Sequence, residues 1–177
     1  EDLGKATCLR TWGAGPPGAR GARPYNGAMN ATAAPLPVVN LKIERRSNHP
    51  WIFQKMVDKP AVKPKPGSLV DIVEATGVWV ARGFYNGHSR IALRVLTEDP
   101  DEAIDEAWFH RKIAAAVHLR RAVLPLDEVS DGWRVVHSEG DGISGLVVDR
   151  YGDLLVVEYF SAGPYRYREW ITAALRA

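Results

Sequence analysis

The stretch Val78–Leu96, VWVARGFYNGHSRIALRVL, decides the fold. In its second half Ile91, Leu93 and Val95 recur at every second position. Ala92 and Arg94 fall between them and face the other way, as in a strand with one buried face. Val78–Tyr85 and Arg90–Leu96 are therefore expected as strands, with Gly87 in the turn between them. Working outward, Val38–Ile43 and Leu69–Glu74 are also rich in Val, Ile and Leu, and clusters such as Lys63–Gly67 and Thr76–Gly77 punctuate the run. Several short strands with turn signals and almost no helix predict a small barrel over residues 37–98.

Residues 99–177 have a different style. Pro100 suits a first helical turn, and Asp99, Asp101 and Glu102 complement the positive end of a helix dipole. A helix is expected from there to about Ala122, with Ile104, Trp108, Ala115, Leu119 and Val123 as its buried stripe. Strands are expected at Trp133–His137, Ile143–Asp149 and Leu154–Phe160, the last two joined by a hairpin turn at Arg150–Asp153. A final helix should start near Tyr165. The last residues, AALRA, carry no Gly or Pro stop signal, which suggests a cut chain. The fold class expected is α+β: a barrel at 37–98, then a small α/β unit at 99–177.

Residues 1–36 resemble neither part. Trp12–Ala28, WGAGPPGARGARPYNGA, has no apolar period and is expected to be a disordered leader. Met29 falls where the character changes, so residues 1–28 read as an upstream extension, with an arginine-rich functional tail as the alternative.

The net charge of +2 hides an asymmetry. Residues 37–98 hold ten basic and five acidic side chains, whereas residues 99–177 hold nine and fourteen. A basic unit beside an acidic one suggests that the first meets a polyanion and the second does not, although an unevenly charged solvated surface would look the same. No run approaches the roughly 18 apolar residues that span a bilayer, and no secretory signal is visible, so a cytoplasmic protein is expected. The single cysteine, Cys8, leaves no internal disulfide. The five histidines form no metal constellation, since even His110 and His118 are too far apart on one helix to share an ion.

Gly140–Gly145, GDGISG, matches G-x-G-x-x-G. That pattern holds a dinucleotide only where a strand feeds a glycine turn that opens a helix. Here strand-like Leu146–Asp149 follows, so the glycines read as turn or bulge positions between strands.

The basic segment offers more. Lys42, Arg45, Arg46, His49 and Lys55 bracket Trp51 and Phe53, while Arg82, Tyr85, His88 and Arg90 mark a second edge. Cations neutralise phosphates and aromatic faces stack on unpaired bases. This interleaving predicts an RNA-binding surface of Arg45, Arg46, His49, Lys55, Arg82 and Arg90, with Trp51 and Tyr85 as stacking residues. Trp51 and Phe53 could equally be core residues.

Residues 41–53, LKIERRSNHPWIF, resemble the opening of a PUA domain, a small RNA-binding barrel. Gly83–Ile91 with Arg94–Leu96 resemble its closing strands, and Ile104–Phe109 with Arg111 and Arg120 resemble the helix that follows. The most specific stretch is Arg134–Asp153, RVVHSEGDGISGLVVDRYGD. Together these are similar to the SAM-dependent 23S ribosomal RNA (cytosine-C5) methyltransferases that carry an N-terminal PUA domain. The resemblance covers residues 38–177; Gly87 and Ser144 stand where that family commonly has Pro. It implies a PUA barrel, a small α/β unit, and a Rossmann-like catalytic domain that lies outside this chain. It further implies S-adenosyl-L-methionine as cofactor of the complete protein, none bound by this portion, and large-subunit ribosomal RNA as partner. No catalytic residue is carried over, and a homodimer is compatible with it. The alternative is a stand-alone PUA-type RNA-binding protein without catalysis.

Overall fold

Val70, Ile72, Val80 and Leu93 pack on one side of a curled sheet, and Leu69, Phe84 and Leu96 on the other, so the middle strands are buried on both faces. The computed structural model describes residues 35–177; the expected leader, with Cys8 and Met29, lies outside the described residues apart from its last two positions. The strands are β1 Val38–Asn40, β2 Trp51–Phe53, β3 Leu69–Val73, β4 Trp79–Tyr85 and β5 Ile91–Thr97. They lie in the order β1-β3-β4-β5-β2, with β1 parallel to β3 and the other pairs antiparallel. The bridge between Leu41 and Val57 joins the two outer edges, so the sheet curls round its own core.

The half-buried β5 expected from its alternation is corrected here. Ala92 is as buried as Leu93, and only Ile91 and Arg94 are partly open. The reason is tertiary: the outer face of β3–β5 is covered by the rest of the chain. Phe84 and Leu96 share one core with Trp108, Phe109, Val136, Ile143, Leu146 and Ile171.

That second part holds helix α1 Glu106–His118, strands β6 Gly132–His137, β7 Leu146–Tyr151 and β8 Leu154–Tyr159, and helices α2 Ala162–Arg166 and α3 Arg168–Arg176. The three strands form an antiparallel sheet in the order β6-β7-β8. Tyr151 pairs with Leu154, leaving a two-residue hairpin loop in which Gly152 takes a left-handed φ of 58°.

Helix α1 starts later than Pro100. Its N-cap is Asp105, whose side chain accepts the Trp108 amide N–H at 2.8 Å. Ile104, just before the cap, and Phe109 are buried in one core, the positions of a hydrophobic staple. This phase sets the buried stripe as Trp108, Phe109, Ile113 and Ala116. The expected Ala115, Leu119 and Val123 are exposed instead; Val123 lies in a π-helical turn, Leu119–Val123, that ends the helix. The final helix is likewise split, breaking at Tyr167.

Candidate nucleic-acid interface

The strand β2 controls what the barrel can offer to a ligand. Trp51 pairs with Arg94 and Ile52 with Leu93, but Phe53 pairs with Ile91, so Ala92 is an extra residue and the register slips. A bulge of this kind bends a strand and re-aims the side chains beyond it. Ile52 points into the barrel, whereas Phe53 is left 40% exposed.

Trp51 is engaged both at its indole N–H edge and over one face of its ring. Its ring N–H donates to Glu139 Oε1 at 2.6 Å, and the Arg94 guanidinium lies over the ring at 5.2 Å. Arg94 Nη1 donates to the same Glu139 oxygen and to Ser144 Oγ, both at 3.0 Å, and Ser144 Oγ donates to Glu139 at 2.6 Å. Burial by itself would raise the Glu139 carboxyl, but hydrogen bonds from Ser138, Ser144 and Trp51 and from a backbone N–H outweigh it and hold it at about 2. Burial pushes the Arg94 guanidinium down, and the Glu139 charge opposes that. The cluster stitches barrel to sheet β6-β7-β8.

Two further expected contacts move inside. Arg82 is 4% exposed: its Nε donates to Asp71 Oδ1 at 2.9 Å and its Nη1 to the Glu102 carbonyl at 2.7 Å. Tyr85 is also 4% exposed and belongs to the barrel core. Both therefore leave the expected surface: Tyr85 points into the barrel, and Arg82 lies on the outer face that the chain after β5 covers. The side chain of Arg45 is likewise occupied, paired with Glu98 and donating to the His49 carbonyl at 3.3 Å.

Arg46, His49, Lys55 and Arg90 are exposed, but they do not form one patch. His49 adjoins Pro50, whose carbonyl accepts the Val95 N–H at 2.8 Å, near the end of β5. Arg90 precedes the other end of β5, and its carbonyl accepts the Gln54 N–H at 2.9 Å, next to Lys55. Seven strand residues separate the two ends, roughly 20 Å. At the Arg90 end sits a one-turn 3-10 helix, Gln54–Met56, which the sequence reading missed. Lys42 joins it there through its N–H to the Met56 carbonyl at 2.9 Å.

The G-x-G-x-x-G stretch has the geometry of turns. Gly142 caps a 3-10 turn at a φ of 76° and Gly145 has a φ of 86°, after which β7 begins rather than a helix. Among the described residues no group of three His, Cys, Asp or Glu is placed to hold a metal ion, and no helix is long and apolar enough to cross a membrane.

Residues 43–98 match the family described as PUA-like domain. This chain contains a PUA-like domain. Beyond that domain the similarity continues: a ribosomal RNA large subunit methyltransferase I of Escherichia coli O139:H28 is 38% identical over 128 residues, which are 72% of this chain and 32% of the relative. The protein of that name from Aeromonas hydrophila subsp. hydrophila is 39% identical over 128 residues, again 72% of this chain and 32% of the relative. The chain thus spans about a third of the length of these curated relatives. A proposed SAM-dependent methyltransferase from Streptococcus mutans superposes with a TM-score of 0.64 at 12% identity, over 80% of this chain and 37% of that one. Another proposed methyltransferase, solved with SAH, gives 0.63 at 14% identity, over 79% and 36%. At these identities the likeness is one of fold: the PUA-like domain and the α/β unit behind it recur together.

Proposed function

We propose that this chain is the N-terminal, RNA-binding portion of a SAM-dependent methyltransferase that modifies a base of large-subunit ribosomal RNA, with 5-methylcytosine as product, in the cytoplasm. The observation that carries this reading is the 38–39% identity to methyltransferases named for large-subunit ribosomal RNA, running through both the PUA-like domain and the α/β unit. In this reading Arg46, His49, Lys55 and Arg90 hold phosphates from the exposed surface of the barrel. The α/β unit, acidic overall, positions a catalytic domain supplied by the complete protein, and S-adenosyl-L-methionine supplies the methyl group there. Within the chain itself, the half-buried Trp51–Arg94–Glu139 cluster fixes the angle between the barrel and the α/β unit. That fixed angle is what delivery of one base to a remote site needs.

The experiment is to incubate the 177-residue protein with large-subunit ribosomal RNA and radiolabelled S-adenosyl-L-methionine, reading RNA retention and methyl transfer separately. The expected result is salt-sensitive retention of RNA with no label transferred. Label in the RNA would overturn the assignment of catalysis to another domain; absence of RNA retention would overturn the RNA-binding reading. A stand-alone binding protein is distinguished by the reading frame beyond the Ala177 codon, which would stop at once instead of encoding a further domain.

A further inference from the structure

The bulged end of β2 carries an exposed aromatic residue, and hydrogen bonds tie its segment to two others that bear cations. Phe53 leads directly into the 3-10 turn that carries Lys55. The Gln54 backbone N–H reaches the Arg90 carbonyl at 2.9 Å and its side-chain amide reaches the Gly87 carbonyl at 3.1 Å, clamping the turn that holds His88 and Arg90. On the other side Lys42 hydrogen bonds to Met56. Lys42, Phe53, Lys55, His88 and Arg90 are all exposed. Residues 53–57 contain no carboxylate, and the first, Asp58, lies past the bridge to Leu41. Phe53 is 40% exposed, so part of an aromatic ring is open to solvent on a segment that carries cations and no carboxylate. An apolar protein partner would not need the cations; a duplex would keep its bases out of reach. An unpaired nucleotide satisfies both, with its base on the ring and its flanking phosphates on Lys55 and Arg90.

We propose that Phe53 is a base-stacking platform and that this end of the barrel takes single-stranded RNA. The inference rests on the RNA-binding reading above and narrows it to one place and one form of RNA. Trp51, the more conspicuous aromatic in the sequence, serves the seam to Glu139 instead.

The test measures binding of the intact chain to a labelled 12-nucleotide single-stranded RNA and to a blunt duplex RNA of the same length. Three variants are compared: Phe53→Leu, Phe53→Trp and the double variant Lys55→Glu/Arg90→Glu. Leu keeps the apolar bulk and removes the aromatic face, so folding is preserved, as a thermal melt will register. Phe53→Leu is expected to weaken single-strand binding by roughly 5- to 100-fold, leave the salt slope unchanged and leave duplex binding unchanged. Phe53→Trp should retain or strengthen single-strand binding. The double charge variant should weaken it and flatten its salt dependence. If Phe53→Leu binds the single strand as well as the wild type while the charge variant binds worse, the stacking platform is overturned and the RNA-binding reading stands. If the wild-type chain binds neither RNA, both fail together.

Discussion

Glu139 makes one oxygen serve Trp51, Arg94 and Ser144 at once, and its charge is what those donors require. Its carboxyl is held at about 2, below its ordinary value. A depressed carboxyl contributes stability above its unfolded pKa, near 4.5, and loses it as pH falls toward the folded value. Glu139→Gln is therefore expected to lower stability at pH 7 by about 1–3 kcal/mol. The gap between wild type and variant should close between pH 4.5 and about 2; urea titrations across that window check it, and a gap independent of pH would place the effect elsewhere. Asp71 offers a sharper case, since it and Arg82 are both buried and directly opposite in the β3–β4 ladder. Asp71 accepts from Arg82 Nε and, at 3.0 Å, from the Trp79 ring N–H. Asp71→Asn leaves a buried guanidinium uncompensated and should cost about 3–5 kcal/mol, read as a fall in denaturation midpoint. A carboxylate inside Leu69–Val73, LVDIV, was the signal that a buried cation must exist. Nothing in the sequence singled out Arg82 from the other arginines as that cation, because its pairing depends on strand register.

Elements follow the same logic of local pattern corrected by packing. Strands were legible wherever Val, Ile and aromatic residues cluster between turns, and β3, β4, β5 and β8 lie where that pattern put them. Which faces they bury was not legible, since the second cover over Phe84 and Leu96 comes from residues spread from Ile104 to Ile171. The α1 boundary failed for a different reason. Asp99, Asp101 and Asp105 all stand within ten residues before Phe109 as possible caps, and only the docking of Ile104 and Phe109 into one core selects Asp105. Asp105→Ala should then lower stability by about 1 kcal/mol, whereas Asp99→Ala and Asp101→Ala leave helix content unchanged by circular dichroism. Helix α2 meets the barrel at Gly67, which faces Ala162 and Arg166, and at Phe84, where a Cβ on Gly163 would lie 2.2 Å from the ring. Gly163→Val must push α2 off β4, with an expected loss of about 1–3 kcal/mol by overpacking. A melting temperature equal to that of the wild type would show that α2 is free to shift.

At the scale of the whole molecule the charge asymmetry was legible, and its consequence was not. Ten basic residues in 37–98 suggested one surface, yet Arg45, Arg82 and Arg94 are paired with the carboxylates of Glu98, Asp71 and Glu139. The exposed cations fall at two ends of β5, with Arg46 and His49 near one end and Lys55 and Arg90 at the other. A strand reaching from end to end must cover roughly 20 Å, or about six stacked nucleotides at 3.4 Å each. RNA length therefore decides which cations count. For a 12-nucleotide strand, Arg46→Glu and Lys55→Glu should each weaken binding and each reduce the slope of log K against log salt by about 0.7. For a three-nucleotide strand held at the Lys55 end, Lys55→Glu should still weaken binding while Arg46→Glu changes nothing. Titrations of both variants with both lengths, at two salt concentrations, separate the cases. Equal effects of Arg46→Glu on long and short strands would mean that the two ends act as one site, and that the strand crosses the barrel by a shorter path than β5.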